Sequence, residues 1–137
     1  MAFKNFSIHA IAILFTICAA SPAAAHHSFV AEFDIKQPVQ LRGKVTRMEF
    51  TNPHSWIYLR VTTDGGDVQD WAIEGAAPNS LIRRGWNRNS LPVGTEISVL
   101  GYRARDGSYR ASGALVTLPD GSKLSVSSRG AGAPRAE

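Results

Sequence analysis

Three histidines carry the sharpest chemistry in this chain. His26 and His27 are adjacent, and His54 follows an Asn52-Pro53 pair. His9 lies in an N-terminal apolar run, and so does Cys18, the only cysteine. Imidazoles without thiolates suit copper, nickel and zinc, and nitrogen-only sites bind Cu(II) most tightly of these. Copper is therefore the leading ion. Zinc comes second, because a structural zinc site usually takes four protein ligands. Glu32 or Asp34 can supply an oxygen to such a site.

The chelate depends on where the chain starts. Met1 to Ala25 has the parts of a secretory leader: Lys4, an apolar stretch from Ile8 to Ala20, and Ala23-Ala24-Ala25 as a small-residue cleavage site. The apolar stretch falls short of the ~20 residues that span a bilayer. Ile17 before Cys18 is too large for a lipoprotein signal. Cleavage after Ala25 makes His26 the first residue, so its free amine and ring Nδ1 can chelate one metal. A further imidazole would then complete a T-shaped set of three nitrogens, and His54 is the natural candidate. Cleavage after Ala24 or Ala23 puts a histidine third from the amine. The amine, two deprotonated amides and that imidazole then form the square-planar set that Cu(II) and Ni(II) favour. The bland alternative is a pair of solvated histidines, with His54 bonded to a turn backbone.

Loss of the leader removes the only thiol, so packing alone must stabilise the remainder, although an exported chain could form disulfides. The expected location is the periplasm or the exterior, with no membrane attachment after cleavage. The net charge of +4 is mild, and Arg83, Arg84, Arg103, Arg105 and Arg110 are scattered. A nucleic-acid surface would be denser and interleaved with aromatics. No nucleophile-elbow sequence accompanies the serines, and Asp64-Gly65-Gly66-Asp67 is too short for an EF-hand loop. Glu49, Asp70 and Glu74 fall on expected strands and read as a solvated face. The chain reads as a non-enzyme.

The elements that must position the histidines are mostly strands. Residues 26–38 lack a steady period and read as an extended arm, with Phe29 and Phe33 as anchors. Val39, Leu41, Gly43 and Val45 alternate with polar residues, and the parity then slips to Met48 and Phe50. That slip predicts a bulge near Thr46-Arg47 in a long, bent first strand, eased by Gly43. Ile57, Leu59 and Val61 face a core, which leaves Trp56, Tyr58 and Arg60 together on the other face as a candidate ligand-binding surface. Asp64 to Asp67 forms a hairpin turn into Val68–Glu74. Pro78 to Gly85 reads as one short helix, and Leu81, Ile82 and Trp86 could plug a barrel end. Trp71 is also expected in the core. Strands follow over Thr95–Arg103, Tyr109–Leu118 and Lys123–Val126, with turns at Asp106-Gly107 and Asp120-Gly121. The tail 127–137 is rich in Gly, Ala and Pro and reads as disordered. Three strands, a short helix, then two strands and a hairpin strand is the order of an oligonucleotide/oligosaccharide-binding (OB) barrel. The expected fold is thus a mainly β, five- to six-stranded OB-like barrel over 39–126, behind a leader at 1–25. An SH3-like barrel or a small sandwich would also fit this order.

The segments A-H-H-S-F-V-A-E-F-D, E-F-T-N-P-H-S-W-I-Y-L and L-I-R-R-G-W, with the following L-P-V-G-T-E-I-S-V-L-G-Y, occur here in sequence. In that order they resemble a family of small exported bacterial proteins known only as a domain of unknown function. The resemblance covers His26 to about Leu124. It implies a periplasmic, OB-like domain, marks His26, His27 and His54 as shared positions, and assigns them no role. The expected function is an exported, non-catalytic module holding Cu(II) through His26 and His27, with His54 as a third ligand. The alternative is an accessory domain that holds a periplasmic protein or small ligand at Trp56, Tyr58 and Arg60, with no metal. A histidine-brace oxidase is disfavoured, because so short a chain leaves little substrate surface.

Overall fold

A computed structural model describes residues 29–128. The leader, His26, His27 and residues 129–137 lie outside the described residues. The order is α1 (Phe29–Glu32), β1 (Phe33–Glu49), β2 (Trp56–Thr62), β3 (Val68–Glu74), α2 (Pro78–Ile82), β4 (Glu96–Ala104), β5 (Arg110–Thr117) and β6 (Lys123–Ser125). The strands form one sheet in the order β3-β2-β1-β4-β5-β6. A short parallel ladder, Ala72 to Glu74 against Arg110 to Ser112, brings β3 back to β5. Five strands thereby form a partly closed barrel of OB-like order, with α2 between β3 and β4.

Strand β1 makes this possible because it serves two partners. Its first part pairs with β4, its last part pairs with β2, and Lys44 is paired on both sides. The expected bulge is present: Val45 faces Leu59, Arg47 faces Tyr58, and Thr46 is the extra residue. An extra residue on one strand flips the parity and bends the chain, which is why Val45 is buried while Met48 only packs against the core. Gly43 is needed just before this bend, since a Cβ there would lie 2.3 Å from the Arg60 carbonyl oxygen.

Residues 29–38 differ from the expected arm. They form the four-residue α1 and the first six residues of β1, and the Phe33 side chain is fully buried. Local pattern could not reveal this, because α1 is held from a distance. The Arg105 amide donates to the Glu32 carbonyl at 2.8 Å, and the Arg105 Nε–H donates to the Val30 carbonyl at 2.8 Å. Phe29 stacks near Phe33 and meets Tyr102 edge-on.

The expected helix at 78–85 is helical through Ile82 and continues as a turn to Gly85, whose φ of 92° suits only glycine without strain. Leu81 and Trp86 are fully buried in the core with Trp71, Ile57 and Leu59. Ile82, expected beside them, is exposed instead. Neighbouring helical side chains point about 100° apart, so one of the two must face outward. The Trp86 Nε1–H donates to the Ser125 carbonyl at 2.8 Å, and an Arg84 guanidinium N–H donates to the Ser127 carbonyl. The R-R-G-W segment therefore fastens the chain beyond β6. Ser127, expected to open a loose tail, is buried.

Candidate metal and ligand site

His54 is set by the backbone on either side of it. The Ser55 amide donates to the Ala76 carbonyl at 3.1 Å, and the Gly75 amide donates to the Ser55 carbonyl at 2.8 Å. These bonds carry the β2–β3 pairing past the ends of both strands. Gly75 is required there, because a Cβ would meet Val126 Cγ2 at 2.7 Å. The Thr51 hydroxyl donates to the His54 carbonyl at 2.9 Å. The loop thus holds the imidazole over the end of β3.

His54 Nδ1 lies 3.3 Å from the Gly75 carbonyl oxygen and 3.2 Å from Glu74 Oε1. Two acceptors at one ring nitrogen assign the neutral-ring proton to Nδ1 and leave the lone pair on Nε2. The side chain is 35% exposed, so the ring is braced on one side and open on the other.

Glu74 is buried, contrary to the solvated face expected for it. Burial pushes its carboxyl above the usual glutamate range; His54 pulls it back, the Glu32 charge pushes it further up, and Arg110 lowers it. Arg110 Nη2 lies 4.0 Å from Glu74 Oε2 and 3.3 Å from Glu32 Oε2. Its guanidinium is also 5.6 Å from the Trp56 ring centre and 5.9 Å from that of Phe33, within cation–π range. His54, Glu74, Arg110 and Glu32 form a continuous row of ionisable groups at this end of the sheet.

Sequence pattern did not single out Glu74 or Arg110. Glu74 has the outward parity of Asp70, and the two differ only through distant neighbours. Asp70 stays exposed and bonds bidentately to Arg60, whose guanidinium holds its carboxyl below the usual range. The signal that existed was register: Glu74 faces Trp56 across β2–β3, next to His54.

The other expected ligands are engaged elsewhere. Asp34 accepts from the Lys36 amide and from Gln37, and Glu32 faces Arg110. Trp56, Tyr58 and Arg60 do share one face of β2, as their alternation requires. Trp56 is half-buried beside Arg110. Tyr58 lies under the Arg47 guanidinium at 3.9 Å, and its hydroxyl donates to Glu49 at 3.2 Å. Arg60 lines an open groove of about 740 Å³ with Arg42, Lys44, Thr46, Thr62 and Glu96. Among the described residues, no three His, Cys, Asp or Glu side chains are grouped to hold a metal ion. Among them too, no helix is long and apolar enough to cross a membrane.

A model for a family of unknown function (DUF6152) matches residues 14–114, a span that takes in the H-H-S-F, N-P-H-S-W and R-R-G-W segments. No curated protein matches the chain.

Proposed function

The chain belongs to that family of unknown function, and we propose that it is an exported, non-catalytic module that holds one Cu(II) ion through His26 and His27, with His54 as the third imidazole. The observation that carries this reading is the bracing of His54. A metal-binding histidine typically donates its other ring N–H to a carboxylate or backbone carbonyl, which fixes the tautomer and raises ligand basicity. His54 Nδ1 has one of each, at Glu74 and Gly75, and Nε2 is left for a ligand bond.

Chain length supports the same reading. Glu32 sits at Arg110, one residue from the Glu74–His54 pair. His27 lies two residues before Phe29, where α1 begins, so it reaches at most about 7 Å beyond the helix that Arg110 holds through Glu32. Export rests on the leader at 1–25, and a copper role rests on nitrogen ligands with no thiol.

The test is a competition titration with Cu(II) on chain processed by its own leader. His26→Ala with His27→Ala should abolish tight binding while the fold persists. His54→Ala should weaken binding without abolishing it, and Glu74→Gln, which removes an outer-shell partner, should weaken it by about 10- to 100-fold. Unchanged binding in the double variant sinks the copper reading. It would shift attention to the metal-free alternative, for which the half-buried Trp56 beside Arg110 is the supporting feature.

A further inference from the structure

We infer that the groove on the outer face of β1 and β2 is a second binding site, for a small zwitterion that carries its carboxylate to Lys44 and its ammonium to Asp64: a short peptide or a free amino acid. The inference is independent of the copper reading. It follows from which charges in the groove are already paired.

The groove of about 740 Å³ falls within the usual range for small-ligand sites. It lies where β1 serves two partners, since Lys44 faces Arg60 on β2 and Glu96 on β4. Leu41 and Val45 are buried, so strand alternation turns Arg42 and Lys44 outward. Most of the charge here is matched internally. The Arg42 guanidinium lies 2.6 Å from Glu96, and that of Arg60 lies 2.8 Å from Asp70. Lys44 and Asp64 line the same groove and are exposed, and among the described residues neither bonds another side chain. Lys44 is also left opposite Arg60, and like charges directly opposite on neighbouring strands repel. A guest carboxylate would relieve that repulsion.

The free cation and the free anion stand apart. Asp64 is four residues beyond Arg60, the cross-strand neighbour of Lys44, and extended chain of that length spans up to about 13 Å. A guest with opposite charges at its two ends satisfies both groups. A plain anion or a plain cation would meet one of them as a like charge. Between them, Val93 is 75% exposed and offers an apolar contact, and Thr62 offers a hydroxyl. Each ionic contact is exposed and contributes little alone, so binding depends on both ends engaging together.

The experiment is an NMR titration of the metal-free, processed chain with trialanine, read at the backbone amides of Gly43, Thr62 and Gly94. Saturable shifts are expected there, with affinity falling as salt rises. Lys44→Met and Asp64→Asn should each weaken binding about two- to fivefold, and the exposure of both side chains lets the variants keep the fold. Acetylating the peptide amine should cost a similar factor in the wild type and nothing in Asp64→Asn, because both changes remove one contact. Amidating the peptide carboxylate should behave the same way against Lys44→Met. Either tighter binding of trialanine than of free alanine or the reverse would support the inference, and the order tells peptide from amino acid. No saturable shift, equal affinity for the doubly blocked peptide, or losses that simply add in either cycle would overturn it. None of these results bears on the copper reading, which stands or falls by its own titration.

Discussion

Trp86 and His54 both pack a ring against the end of a strand, and they do so to opposite effect. Trp86 is 1% exposed, and its one polar atom is bonded to the Ser125 carbonyl. Leu81 and Leu91 are buried in the same cluster. Nothing in that region is left to react with. His54 has one nitrogen committed and the other open, and it sits on a buried carboxylate whose ionisation is opposed by its surroundings. The first arrangement only stabilises. The second leaves one ring nitrogen without a bond and places a carboxyl where burial opposes its ionisation.

Substitutions can break this comparison. The largest effect should come from Trp86→Ala, which empties a large core volume and orphans the Ser125 carbonyl. A loss of about 3–5 kcal/mol is expected for such a truncation, enough to unfold much of a marginally stable domain. Urea denaturation measures it, and a loss below about 1 kcal/mol would mean that Trp86 does not anchor the core.

Gly75→Ala probes the seam between the regions. Its new Cβ would push on buried Val126 and displace the backbone that holds Ser55 and His54. Overpacking of this kind costs about 1–3 kcal/mol, and copper affinity should fall with it. Retained affinity at reduced stability would separate the two regions more cleanly than the hydrogen bonds imply.

The smallest effect is a pH dependence in the metal-free protein. Burial raises the Glu74 pKa above its ordinary 4.5, so the folded state holds that proton more tightly than the unfolded chain does. This stabilisation is present in full below 4.5 and is lost as pH rises through the raised folded value. The melting-temperature difference between wild type and Glu74→Gln should therefore move against the wild type as pH rises from 4.5 toward neutrality. A constant difference across that range would show that Glu74 titrates like a solvated glutamate.

Most of the architecture was legible in the chain because it depends on local period. The parity slip from Val45 to Met48 marked the bulge at Thr46, and Val68–Glu74 emerged with the expected limits. The alternation of Trp56, Tyr58 and Arg60 with aliphatic residues placed all three on the outer face. What escaped depends on contacts between distant residues. α1 is set by arginines more than 70 positions away, and Glu74 differs from Asp70 only through His54, Arg110 and Glu32. Of the candidate site, His54 could be picked out as the one histidine in the body of the domain, but its carboxylate partner could not.

The most direct measurement is the native mass of chain exported and processed by its own leader, before and after one equivalent of Cu(II). The account predicts that the metal-free mass starts at or within two residues of His26, and that one copper ion is retained against a weak competitor and lost in the His26→Ala/His27→Ala variant. A mass that keeps the leader, or a correctly processed chain that retains no copper, would contradict it.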